Sequence, residues 1–288
     1  MKIITKASSA QRLASKIRCE NKTIGFVPTM GYLHEGHISL INIARKKADV
    51  VFVSIYVNPL QFGPSEDLKK YPRDLKRDEK LCREAGVDYI FYPSDSEMYS
   101  DEYSTYVNVE NITDILEGKV RPGHFKGVTT VCLKLFNIVQ PHFSVFGQKD
   151  AQQLAVIKKM VHELNLDMKV ITGETKREPD GLAMSSRNVY LNDEQRKDAS
   201  VLYKALQYAK RKIEEGYNRD IDFLSHQMYK LIKSRPRVTN IDYISFNDSE
   251  NLKTYKSFKE IAKNKEITVS LAVRFGKIRL IDNISIKC

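Results

Sequence analysis

Residues 50–57 read VVFVSIYV, apolar at every position except Ser54 and without the alternation of a strand that shows one face to water. A strand of this kind is buried on both faces, which is the condition inside a parallel sheet covered by helices on either side. Comparable runs recur at residues 23–27, 87–92, 143–146 and 168–171. Between them lie segments of helical period at 36–48, 72–85, 125–139 and 151–164. In the last of these, Leu154, Ile157, Met160, Val161 and Leu164 make a single apolar stripe. Strands that alternate with helices predict an α/β architecture, a doubly wound parallel sheet with right-handed crossovers.

The texture changes after Ile171. TGETKREPDG, residues 172–181, is polar, contains Pro179 and Gly181, and reads as a hinge. Asn192 followed by Gln195 has the form of a capping box, predicting one long helix to about Glu215 that ends at Gly216. A second helix over 220–234 stops before Pro236, and strand-like runs follow at 241–246, 267–275 and 277–286. The expected organisation is therefore a Rossmann-like doubly wound domain over 1–175 and a smaller C-terminal α+β domain over 176–288.

The 288 residues suffice for a large core, and 42% apolar with 29% charged residues is a globular balance. Four cysteines, Cys19, Cys82, Cys132 and Cys288, lie far apart and form neither a zinc pattern nor a disulfide framework, so a reducing, cytoplasmic setting is expected. The first 18 residues are broken by charges too often for a signal-peptide core, and no apolar run reaches membrane-spanning length. The net charge is +11, of which residues 176–288 hold +8, with 23 Lys and Arg against 15 Asp and Glu. Those cations are scattered over helical patterns, with no concentrated stripe or RRM-like aromatics, which argues against nucleic-acid binding as the main role.

Five segments carry groups suited to anions. PTMGYLHEGH, residues 28–37, follows a strand and opens a helix; Pro28, Gly31 and Gly36 shape the turn, and His34 and His37 share one helical face at a helix start that attracts phosphate. Two histidines at this spacing also permit a shared zinc ion, although no third ligand lies nearby in sequence. VNPLQFGPSEDLKKYPRD, residues 57–74, places the uncharged amides of Asn58 and Gln61 at a strand exit, suited to a hydroxyl or carboxylate. EGKVRPGHFKGV, residues 117–128, sets Arg121, His124 and Lys126 before a helix, where basic groups point to anions. FGQKDAQQL, residues 146–154, brings Lys149, Asp150 and Gln153 to another strand-to-helix junction. GLAMSSRNVYL, residues 181–191, supplies two hydroxyls and a guanidinium just past the hinge, the position of a lid.

Together with the terminal RLIDN at residues 279–283, these segments resemble the pantoate–β-alanine ligases of the H-x-G-H nucleotidyltransferase superfamily, in the family's order and over most of the chain. The resemblance implies an ATP-dependent ligase that condenses (R)-pantoate with β-alanine through a pantoyl adenylate, releasing AMP and pyrophosphate. Another H-x-G-H nucleotidyltransferase, forming a nucleotidyl product without joining an amine, is the competing expectation. By resemblance, ATP is bound by Met30, Gly31, Tyr32, Leu33, His34, Glu35, Gly36 and His37, by Gly147, Gln148, Lys149 and Asp150, by the backbone of Lys176, and by Met184, Ser185, Ser186 and Arg187. His34, His37, Lys149, Ser185, Ser186 and Arg187 are the implied catalytic set. Gln61 and Gln153 correspond to pantoate-binding residues, with Gln61 also near β-alanine and Asn58 in support. Glu117, Arg121 and His124 correspond to a wall over the pantoate end. Mg²⁺ is expected to arrive with ATP, with few protein ligands of its own and Asp78 a candidate outer partner. A homodimer formed through the N-terminal domain is implied as well.

Overall fold

Residues 1–64, 66–217 and 220–288 are described by a computed structural model; Ser65, inside the second motif, and Asn218 and Arg219 lie outside it. The chain divides into two compact units, one of Met1–Gly147 with Val156–Glu174, the other of Gln148–Ala155 with Thr175–Cys288. The elements up to the division are β1 (Lys2–Ile4), α1 (Ala7–Cys19), β2 (Ile24–Thr29), α2 (Glu35–Arg45), β3 (Val50–Ile55), α3 (Leu75–Glu84), β4 (Tyr89–Phe91), the short α4 (Asp95–Met98) and α5 (Leu116–Val120), α6 (His124–Val139), β5 (Phe143–Gly147), α7 (Ala151–Glu163) and β6 (Lys169–Gly173).

In the first unit six strands pair in parallel in the order β1-β4-β3-β2-β5-β6. The unalternated run at residues 50–57 becomes β3, whose residues from Val51 to Ile55 are all buried, in the register Phe26↔Phe52 and Val27↔Val53 with β2. From β2 the chain winds outward through β3 and β4, then returns to place β5 on the other flank of β2. That reversal leaves a crevice beyond the carboxyl ends of β2 and β5, the usual ligand position in open α/β sheets. Val27, Leu33, Ile41, Val51, Val53 and Ile90 form the core beside it, each with no exposed surface.

The second unit continues with α8 (Asp193–Ala199), α9 (Val201–Glu214), α10 (Ile221–Lys233), β7 (Val238–Asp248), β8 (Glu266–Phe275) and β9 (Ile278–Lys287). Its strands pair antiparallel in the order β7-β8-β9. Leu202, Leu206 and Ala209 of α9 with Leu224 and Met228 of α10 pack in one core with Val269 of β8. The helix expected over about 193–215 is two helices. Asn192 and Gln195 do form the reciprocal capping box, but Ser200 interrupts the run, its Oγ donating to the Lys197 carbonyl at 3.1 Å. The polar stretch read as a hinge is fastened from Arg177 onward: Arg177 pairs with Asp282, and Arg196 bonds both Glu178 and Asp180. All four cysteines are free thiols, Cys82 and Cys132 buried.

Candidate functional site

The loop between β2 and α2 is shaped by one buried carboxylate. Thr29 Oγ1 donates to the Ser54 carbonyl at 2.7 Å and accepts Gly31 N–H at 3.1 Å, so the chain leaves the sheet in a fixed direction. Gly31 has φ +83°, and a Cβ there would stand 2.9 Å from Ile55 and 3.0 Å from Asp78 Oδ2, so only glycine fits. Asp78, 1% exposed on α3, accepts Tyr32 N–H and Leu33 N–H at 2.7 Å each, one on each oxygen. Burial raises its pKa, while the two N–H groups oppose that shift. Asp78 thus shapes the loop, with one N–H on each carboxylate oxygen.

At the loop's end His34 is the N-cap of α2, its Nδ1 accepting Gly36 N–H at 3.1 Å. His37, one turn on, accepts His34 N–H on its own Nδ1 at 3.3 Å, so the imidazoles form a reciprocal capping box with ring centroids 4.1 Å apart. An Nδ1 that accepts is unprotonated, so in the neutral ring the proton sits on Nε2. The backbone therefore selects the tautomer of both histidines. Each ring then carries its proton on Nε2, at a helix N-terminus whose dipole favours negative charge.

Gln61 is oriented with comparable strictness. The Gly127 carbonyl of α6 accepts only, and it takes an N–H from Asn58 Nδ2 at 3.0 Å, which turns Asn58 Oδ1 toward the Tyr99 hydroxyl at 2.8 Å. The same Nδ2 faces Gln61 Oε1 at 3.2 Å, so the donor end of the Gln61 amide points away from Asn58 and meets Met30 Sδ at 2.9 Å. A thioether is a weak acceptor, readily displaced by a hydroxyl or carboxylate oxygen. Gly127 permits this geometry, because a Cβ there would lie 2.3 Å from the Leu60 carbonyl oxygen. The exits of β2 and β3 open on a cavity of about 300 Å³ whose lining includes Met30, Gly31, Tyr56, Arg73 and Asp78, a volume for a metabolite rather than a macromolecule.

The basic reading of residues 117–128 requires correction. Arg121 makes a two-pronged pair with Glu66 at 2.9 and 2.6 Å, and Lys126 lies over the Tyr106 ring at 4.2 Å. His124 is buried and neutral. Its Nε2 lies 3.0 Å from Arg121, which only donates, and its Nδ1 lies 2.8 Å from the Gln61 carbonyl, which only accepts. Burial first, then the Arg121 charge, holds its pKa down at about 4. Arg121 and His124 brace the Gln61 main chain at its carbonyl, and Glu117 is buried on α5. Because the folded pKa lies below the unfolded 6.5, His124 takes up fewer protons folded than unfolded between those values, and stability falls as pH falls through that window. The expected loss is roughly 3 kcal/mol across it. A His124→Gln variant, measured by urea unfolding at about pH 7 and pH 4.5, should lose markedly less on acidification; an equal loss in both proteins would remove His124 as its source.

The remaining sequence candidates lie in the second unit, Gly147 excepted. After β5, Gln148–Asp150 form a single 3-10 turn that leads into α7, and Gln153 is half-buried in the first turn of that helix. Lys149 Nζ stands 3.4 Å from Asp150 Oδ1, and Gln148 Nε2 donates to Ser285 Oγ at 3.4 Å. The Lys176 carbonyl accepts Met184 N–H at 3.0 Å. Ser185 caps the turn Ser186–Tyr190, its Oγ accepting Arg187 N–H at 3.2 Å, and Ser186 is buried. Glu66, Tyr99 and Asn283 escape sequence reasoning as site residues. They act across 55, 41 and about 135 positions; Glu66 and Asn283 fall inside the segments 57–74 and 279–283, but no local pattern gives their partners.

Paired imidazoles capping a helix, on a loop that also touches an oriented amide, mark the sheet's crevice as the candidate site of an α/β protein. Residues 2–285 match the family described as pantoate-beta-alanine ligase. The chain is 51% identical over 288 residues to the pantothenate synthetase of Caldicellulosiruptor bescii, covering 100% of this chain and 99% of that one. A crystal structure of pantothenate synthetase from Thermus thermophilus superposes with a TM-score of 0.90 at 41% identity, covering 99% of both chains. A pantoate-beta-alanine ligase from Francisella tularensis, solved with beta-gamma ATP and beta-alanine, superposes at 0.80 with 34% identity, covering 99% of this chain and 97% of that one. The chain belongs to the pantoate-beta-alanine ligase family.

Proposed function

We propose that the protein condenses (R)-pantoate with β-alanine at the expense of ATP. The observation that carries this reading is the 2.9 Å contact between Gln61 Nε2 and Met30 Sδ, which joins a carboxylate- or hydroxyl-seeking amide to the very loop that ends in the two imidazoles. In the first step a pantoate carboxylate oxygen attacks the α-phosphorus of ATP, and the bond to pyrophosphate breaks. In the second, the β-alanine amine attacks the acyl carbon of the pantoyl adenylate, the bond to AMP breaks, and the nitrogen gives up a proton. Both steps depend on positioning and charge neutralisation more than on covalent help from the protein.

Within this proposal residues 30–37 bind ATP, and the Nε2–H groups of His34 and His37 stabilise charge that grows on the departing pyrophosphate. Gln61 takes pantoate and lies near β-alanine, with Asn58 fixing its amide, and Gln153 is assigned to pantoate too. Gly147, Gln148, Lys149 and Asp150, the backbone of Lys176, and the segment from Met184 through Ser185 and Ser186 to Arg187 are assigned to the nucleotide. The ligands of the Francisella relative support ATP and β-alanine as substrates. Mg²⁺ enters only as the ion a triphosphate carries. Among the described residues no group of three His, Cys, Asp or Glu is placed to hold a metal. No step is assigned to the ion. Family resemblance supports a homodimer in the cytoplasm, and among the described residues no helix is long and apolar enough to cross a membrane.

Pantoate labelled with ¹⁸O in its carboxylate tests the reaction. The expected result is one labelled oxygen in AMP and an amide formed only when β-alanine is present. Release of ADP, or AMP without label, would exclude the adenylate route, whereas an adenylate that accumulates despite β-alanine would identify a nucleotidyltransferase that joins no amine.

A further inference from the structure

The RLIDN segment takes no part in the reaction drawn above, yet two of its residues are among the most thoroughly bonded in the second unit. Asp282, its side chain shielded from solvent, receives both arms of the Arg177 guanidinium at 2.6 and 3.0 Å. Arg177 also donates to the carbonyls of Gly181 at 3.0 Å and Asn283 at 3.1 Å, and its guanidinium lies 4.1 Å from the centroid of the Tyr203 ring. The turn that leads to Met184 is thus tied to β9. Neighbouring side chains on a strand point to opposite faces, and Asn283 accordingly reaches elsewhere. Its Nδ2 donates to the carbonyls of Gln148 at 3.0 Å and Lys149 at 2.8 Å, while Ser285, two residues on, accepts the Gln148 side chain.

A single amide that bridges two successive carbonyls fixes both peptide planes, and with them the direction in which the Lys149 side chain leaves the backbone. This matters for lysine in particular. Its ammonium is a point charge on a four-carbon stem, so its placement is only as good as that of the main chain beneath it. Asn283 is 4% exposed, so water is a poor substitute for its two donors. On the opposite side of the same strand Asp282, through Arg177, steadies the turn before residues 184–187. Two segments assigned to one nucleotide are therefore referred to adjacent residues of one strand.

We propose that Asn283 is a positioning residue for Lys149, and that Asn283 and Asp282 together make β9 the frame that sets the second unit's triphosphate-binding groups. The inference rests on the assignment of Lys149 to ATP made above. Binding of adenylyl imidodiphosphate with Mg²⁺, followed by calorimetry on the full chain, tests it. Asn283→Ala is expected to weaken the nucleotide about tenfold and pantoate less than twofold. Asn283→Asp, similar in size but with acceptors where donors are needed, is expected to weaken it at least as much. In a Lys149→Ala background Asn283→Ala should add less than a twofold further loss, because the group it positions is gone. Equal factors in both backgrounds, or equal losses for nucleotide and pantoate, would reduce Asn283 to a structural residue and overturn the inference. If Asn283→Ala does not fold, Asn283→Ser, which keeps one donor, carries the same cycle, and wild-type affinity in that variant and in Asn283→Asp would likewise overturn it. Unchanged nucleotide affinity in Lys149→Ala alone would instead bring down the assignment of Lys149, and the inference with it.

Discussion

His37→Ala is expected to lower kcat by about two to three orders of magnitude, the usual cost of removing one donor aimed at charge that develops in a transition state. The imidazole is fixed in place and in tautomer by the His34 amide, so in the role proposed for it the Nε2–H needs no reorganisation when pyrophosphate departs. The same substitution removes half of the capping box of α2 and is expected to cost only about 0.5–1 kcal/mol of stability. Single-turnover formation of the adenylate separates the two effects: the rate should collapse while the urea midpoint moves little. A kcat within threefold of the parent would leave His37 a cap and nothing more.

Asp282→Ala is expected to destabilise the second unit by about 3–5 kcal/mol, since it strands a largely shielded guanidinium without its counter-charge. Replacing both partners by apolar residues, Arg177→Met with Asp282→Leu, should recover much of that loss, because the penalty comes from the unpaired charge more than from the absent bond. Urea unfolding followed by circular dichroism measures both variants. The single variant unfolding at the parental midpoint would contradict the buried-pair account.

The parallel sheet was legible because strands buried on both faces cannot alternate, and residues 50–57 carry that signature without ambiguity. Strand β1 was not, since three residues hold no period, and in α1 the buried positions Ala10, Ala14 and Ile17 are too small for the most part to stand out as a stripe. The break at Ser200 escaped for a different reason: apolar spacing runs straight through it, and only the turned-back hydroxyl betrays the interruption. In the candidate site, glycines and paired histidines announce themselves locally. What the sequence hides is what each charge is spent on. Residues 117–128 look cationic in one dimension, yet Arg121 answers Glu66 and His124 is kept neutral by burial. Likewise Asp78 looks like an ordinary helix-surface acid until its two oxygens are seen on the loop amides.

The bare backbone at Gly127 brings α6 against the peptide that carries Gln61, so under the role proposed for Gln61 the recognition of the acid and the solidity of the helix share one contact. A change that eases α6 outward by even a fraction of an ångström will register as lost selectivity for that substrate before it registers as a lower melting point. Attempts to harden this part of the molecule by filling space along the helix will therefore tend to blunt the enzyme.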